Sequence, residues 1–338
     1  MTTKNSYPFS FTGTGGEYFR IWIVNILLSI LTLGLYSAWA KVRTKRWFYG
    51  HTVVDGQSFS YLAQPMQLLK GHLIAWAAVV AYALSTHFMP LLGVGLLVVL
   101  FLASPFLMVA GLRFNARMSA YRGIRFDFTG TVSESYKVNL FWPLLIVPTL
   151  GLILPYLSYR STRFVIDNTL YGGTKARYEG DLKPFQKIYL KALGLFLVPV
   201  ALGVVGYLMR ESSPLMAVFM IGLAPFLFYA IMLILGSYLM ARLGNLTYGG
   251  THIGDVGFES RLRARSLCWL YISNVFLMGI TVGIYYPWAR VRLARYRAAQ
   301  LNLQTAQSLE AFSGGQALTA GATGSELADA FDVSAGVL

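Results

Sequence analysis

Thr32-Leu33-Gly34-Leu35-Tyr36-Ser37-Ala38-Trp39-Ala40-Lys41-Val42-Arg43-Thr44-Lys45-Arg46 closes the first apolar run of the chain. It decides the reading of the fold, because a helix-breaking Thr-x-Gly sits inside an apolar segment and two arginines follow it. The stretch recurs as Thr281-Val282-Gly283-Ile284-Tyr285, followed by Trp288-Ala289, Arg292 and Arg295. A degenerate copy runs Thr149-Leu150-Gly151-Leu152, then Tyr156, Arg160 and Arg163. Shifted by 117 residues, positions 9–61 and 126–178 align without a gap and agree at seventeen of 53 pairs. Positions 23–46 and 272–295 agree at eleven of 24. Self-similarity at this level marks an internal repeat.

Outside the motif the chain is greasy. Of its 338 residues 56% are hydrophobic and 12% charged, against about 45–50% and about 25% in soluble domains. A mean hydropathy of +0.55 agrees. The charges are lopsided, 28 Lys+Arg against 14 Asp+Glu. A nucleic-acid binder needs a soluble basic face, so the composition excludes nucleic acid as partner and indicates a multi-pass membrane protein. One cysteine, Cys268, excludes a disulfide framework.

Charge-free runs at 21–40, 71–112, 138–159, 192–209, 212–241 and 266–289 mark the membrane segments. The second run divides near Thr86–Pro90, giving seven segments. The sequences between them are basic, except for short turns near 85–87 and 210–214, and excess Lys and Arg mark the cytoplasmic side. The third run, 138–159, is basic on both sides, which leaves two topologies open. Either there are seven simple spans, or four full spans with motif segments that enter and leave on one face.

The expected fold is an all-α polytopic membrane protein built from internal repeats of a motif segment plus a helical hairpin, with short cytoplasmic β-hairpins. Residues 1–125 form membrane repeat 1, 126–257 repeat 2, 258–297 a partial repeat 3, and 298–338 a flexible acidic tail. The hairpins read from Thr52-Val-Val-Asp55-Gly56-Gln-Ser-Phe, where Asp-Gly supplies the turn, and from 121–128, 168–174 and 245–251. The tail lacks Lys and Arg and carries Glu310, Glu326, Asp329 and Asp332. Its segment Glu326–Phe331 has the charge to dock on the basic face.

Phe9-x-Phe11-Thr12-Gly13-x-x-x-Glu17-Tyr18-Phe19, followed by the opening motif, resembles the YjgN-like family of bacterial inner-membrane proteins of unknown function. The ending Glu326-Leu-Ala-Asp329-Ala-Phe331-Asp332 is similar as well. The resemblance implies a multi-pass protein of the bacterial inner (plasma) membrane, and the charge pattern puts the basic loops and the tail on its cytoplasmic side. It implies no activity and no substrate.

No phosphate loop, nucleophile elbow or His-Glu-x-x-His zinc motif is present. The expectation is therefore no enzyme, no catalytic residue, no metal and no cofactor. Glu17 and Glu134, equivalent in the repeat, suit helix N-termini or pairing with a nearby arginine. Asn25 and Asn274 suit hydrogen bonds between helices. The candidate contact set is Arg43/Arg46, Arg160/Arg163 and Arg292/Arg295 with Trp39 and Trp288. Spacing of three puts both guanidiniums of a pair on one helix face, and interfacial aromatics stand beside them. They suit membrane lipids, anionic phospholipids among them. Thr32, Gly34, Thr149, Gly151, Thr281 and Gly283 are the motif breaks. Repeats with broken apolar segments suit a transporter or channel for a small solute. The alternative is a lipid-binding or envelope-organising protein that uses the Arg/aromatic motifs.

Overall fold

A computed structural model describes residues 5–315. Its strands are β1 (Asn5–Phe11), β2 (Thr52–Val54), β3 (Gln57–Tyr61), β4 (Ser119–Tyr121), β5 (Ile124–Phe128), β6 (Thr169–Tyr171), β7 (Thr174–Tyr178), β8 (Thr251–Ile253), β9 (Val256–Ser260) and β10 (Leu301–Thr305). They close into one barrel, each antiparallel to its neighbours in the order β1-β10-β9-β8-β7-β6-β5-β4-β3-β2. Closure brings Tyr7 opposite Leu303 and Phe9 opposite Val54.

The all-α expectation is therefore wrong. An isolated two-stranded hairpin is marginal in water, and its edges present unpaired backbone groups. Closing ten strands on themselves removes every edge and turns the alternate apolar residues inward. The boundaries expected at 125/126 and 257/258 fall inside β5 and β9, so the barrel joins the units. The hairpin expected at 245–251 is displaced. Helix continues to Gly249, and the turn falls at Gly254-Asp255. The tail expected to begin at 298 instead contributes β10, and Leu309 beyond it is buried in the core. The docking segment Glu326–Phe331 lies outside the described residues.

The helices are α1 (Gly15–Leu31), α2 (Ser37–Gly50), α3 (Pro65–Phe88), α4 (Pro90–Arg117), α5 (Val132–Tyr136), α6 (Trp142–Leu144), α7 (Leu154–Asp167), α8 (Leu182–Leu208), α9 (Pro214–Gly249), α10 (Ala264–Ile280) and α11 (Tyr286–Ala299). A π-turn, Lys137–Phe141, joins α5 to α6. Tight turns join β2 to β3, β4 to β5, β6 to β7 and β8 to β9. Because neighbouring strands alternate in direction, every helical excursion leaves from the other barrel end and returns to it. There are five: α1–α2, α3–α4, α5–α7, α8–α9 and α10–α11. Helix contacts follow chain order and close where α11 meets α1. α3, α4, α8 and α9 are long and apolar enough to cross a membrane.

The three shorter excursions reverse at the Thr-x-Gly motif. Thr32 Oγ1 donates to Leu28 O at 2.7 Å and accepts from Tyr36 N at 2.9 Å. Thr281 repeats this with Leu277 O and Tyr285 N, while Thr149 Oγ1 donates to Leu145 O. Gly34, Gly151 and Gly283 follow with φ of 90°, 81° and 84°. Their N–H groups donate to Ser29 O, Ile146 O and Met278 O, the six-to-one bond of a glycine-terminated helix. Pro155 and Pro287 then stand in the first turns of α7 and α11, where their missing N–H costs nothing. Thr14 and Glu17 form a capping box on α1, and Thr131 Oγ1 caps Glu134 N on α5. Asn25 ties α1 to Ala40 O of α2, and Asn274 ties α10 to Ala289 O of α11.

Candidate functional site

The repeated arginines go mainly to the frame. Arg46 Nη2 donates to Ala63 O at 2.8 Å, and Arg295 Nη2 donates to Gly13 O at 3.0 Å. Both carbonyls lie in loops that lead from a long strand into a helix. Arg113 of α4 donates likewise to Phe128 O and Gly130 O, and Asn245 of α9 to Leu262 O. Arg46, Arg113, Arg163, Asn245 and Arg295 each precede the next short strand or β10 by six residues. In four of these five places the side chain holds a strand–helix loop. Arg163 instead pairs with Asp167, whose other oxygen accepts from Tyr178 N of β7. Sequence reading singled out Arg46, Arg163 and Arg295 and missed Arg113 and Asn245, although the six-residue offset was available.

The other members of the pairs differ from one another. Arg292 donates to Asn274 Oδ1 at 2.7 Å, and to Ser273 and Tyr285 hydroxyls. Arg160 Nε is buried without a hydrogen-bond partner; Trp142 stands where the first and third motif segments carry Asn25 and Asn274. Arg43 is exposed. Trp39 stacks on Tyr36, and Trp288 stacks on Tyr285 and lies against Phe19. The six arginines therefore do not converge, and none lines the barrel lumen.

The lumen is a cavity of about 700 Å³, within the range of small-molecule sites. Its wall is aromatic: Phe9, Phe59, Tyr121, Phe126, Tyr171 and Phe258. These are alternate, inward positions of their strands. The phenols leave the rings free to face the cavity, because Tyr121 OH donates to Val54 O and Tyr171 OH to Tyr121 O. Burial pushes the Tyr171 and Tyr178 phenols up to about 12, so both are neutral at physiological pH. At the tight-turn end Leu309 and Phe312 form a floor, with Phe312 stacked on Tyr171 at 6.1 Å.

At the helix end the lining changes character. α2 contributes Thr44, Lys45 and Phe48, and α11 contributes Arg290, Leu293 and Arg297. Lys45 Nζ donates to Asn115 Oδ1 at 2.6 Å and lies over the Tyr61 ring. Arg290 donates to Tyr286 OH and stacks over Phe48, and Arg297 donates to Tyr271 OH. Every one of these partners is neutral. Among the described residues no Asp or Glu lines the cavity. Sequence reading missed this set. The signal in reach is the alternation Phe9-x-Phe11 and Phe126-x-Phe128, which marks strand faces as well as a repeat match.

The sequence profile of a family described as "Bacterial protein of unknown function (DUF898)" matches residues 6–330. The chain is similar to "Inner membrane protein YjgN" of Salmonella typhimurium, with 25% identity over 354 residues and 89% of each chain covered. It is also similar to proteins of the same name from Escherichia coli O157:H7 and Escherichia coli K12. Identity to each is 35%, over 44% of this chain and 37% of theirs. No solved structure matches it.

Proposed function

The chain belongs to this bacterial family of unknown function, and from that premise we propose that it is an inner-membrane protein that draws a lipid-like amphiphile into its barrel. The single observation that carries the reading is the lumen. Its aromatic wall favours an apolar chain, its floor is covered by Leu309 and Phe312, and its mouth lies at the end from which every helix emerges. A bilayer-dissolved molecule reaches such a mouth without passing through water, and burying its chain against aromatic rings is favourable by the hydrophobic effect.

The strand order supports a topology to match. All five excursions start and end on the barrel, so the two long pairs cross and return while the three motif segments enter and leave on one face. The basic sequences then lie on the barrel side, which the positive-inside rule makes cytoplasmic. Exposed Arg43 suits a lipid phosphate at that interface. Transport or channel activity for a small solute has less support, because buried Leu309 and half-buried Phe312 line the tight-turn end of the lumen.

Photo-crosslinking tests the reading. A single-chain lipid with a diazirine near the chain end, added to membranes holding the full-length protein, should label the peptides that carry Phe59, Phe126 or Phe258. Leu293→Trp, which narrows the mouth, should suppress that labelling. Labels confined to the outer faces of α3, α4, α8 and α9 would mean that the lumen is not a binding site.

A further inference from the structure

The chemistry of the mouth narrows the occupant. Lys45, Arg290 and Arg297 line one cavity, and among the described residues none of them takes part in an ion pair and no carboxylate lines the wall. Three cations beside an apolar chamber attract anions, and the low-dielectric wall below strengthens that attraction. Their present partners, the Asn115 amide and the hydroxyls of Tyr61, Tyr286 and Tyr271, leave the charge uncompensated. We propose that the lumen selects a single-chain anionic amphiphile from the bilayer, its acidic head held at Lys45, Arg290 and Arg297 and its chain laid between Phe59, Phe126 and Tyr171 toward Phe312.

This rests on the lumen reading above and adds the sign of the ligand and the number of its chains. A free inorganic anion gains nothing from the aromatic wall. A zwitterionic head brings a second, positive charge against three cations. A two-chain lipid exceeds what a chamber of about 700 Å³ accommodates, so one chain is the match. The guanidiniums add paired N–H donors suited to a carboxylate or phosphate, where the Lys45 ammonium acts as a point charge.

The test uses the full-length protein in zwitterionic nanodiscs and two probes with one chain, a fluorescent polyene fatty acid and its methyl ester. The acid should bind saturably and about tenfold more tightly than the ester. In the Lys45→Gln/Arg290→Gln/Arg297→Gln variant that preference should vanish, the acid binding no more tightly than the ester. Leu293→Trp should abolish both. The acid-to-ester comparison on the unaltered protein stands even where the triple variant fails to fold. Equal binding of acid and ester, abolished by Leu293→Trp, would overturn the charge selection and leave the lumen reading intact. Binding of neither probe, or binding that survives Leu293→Trp, would overturn both.

Discussion

Arg43 and Arg295 come from equivalent copies of one motif, yet their side chains meet different surroundings. Arg295 of α11 reaches across the chain's two ends, donating to Gly13 O between β1 and α1. Gly13 itself has no room for a side chain, since a Cβ there would come within 2.6 Å of Trp47. The loop is thus packed from one side and held by charge-assisted hydrogen bonding from the other. Hydrogen bonds to charged groups contribute about 1.5–3 kcal/mol, and the exposed position of Arg295 brings the expectation below that range through solvent screening. Arg295→Gln should therefore lower stability by about 1 kcal/mol and reduce the thermal midpoint of the detergent-solubilised protein. Arg43→Gln should leave it within error. An equal loss in both would mean that the guanidinium–carbonyl bond is not what Arg295 contributes. Spacing made these arginines visible as a pattern, but spacing does not distinguish a side chain that meets lipid from one that meets a carbonyl.

The Thr-x-Gly turn is the element that lets a motif segment reverse. Gly283 sits at φ 84°, and a Cβ there would meet nothing within 4 Å. Gly283→Ala therefore isolates the backbone cost of the left-handed region, about 1–2 kcal/mol. At Gly34 the same change would also drive a Cβ to 2.8 Å from the Trp76 ring, so its thermal midpoint should fall further than that of Gly283→Ala. The reverse order would place the strain elsewhere. This break was legible because it is local: a Thr and a Gly two residues apart inside an apolar run. The barrel was legible only in pieces. β2, β4, β6 and β8 have three residues each, too few for alternation to register. β1 and β10 pair across nearly the whole described chain, a contact that no local pattern announces. The cationic mouth was hidden for the same reason. Lys45 and Arg290 lie within or beside the motif, but they line one cavity only because closure sets α11 beside α1, and α1 beside α2.

Alternation of strand direction fixes the arrangement of the whole molecule. A closed antiparallel barrel with tight turns at one end has room for insertions only at the other, so both ends of every excursion face the same way. Helices of 24 to 36 residues rise about 36–54 Å, enough to cross a hydrocarbon core of about 30 Å. α1, at 17 residues, rises about 26 Å, short of that thickness. Lipid-exposed irregular backbone is costly at depth. The three turns answer this locally, with Thr hydroxyls and glycine N–H groups bonded to the preceding helix, while Leu33, Leu150 and Val282 present 83%, 92% and 90% of their surface outward. Apolar side chains standing out at the tips are what a bilayer interior accommodates and water does not. The topology proposed above places Lys175 on the barrel and Ser212 between α8 and α9 on opposite faces of the membrane. In a Cys268→Ser background, Ser212→Cys should react with a membrane-impermeant maleimide in intact cells. Lys175→Cys should react only in inverted vesicles. Labelling of both positions from one face would mean that the long helix pairs do not cross, and would place the barrel and its mouth in a different relation to the bilayer from the one on which the lumen reading depends.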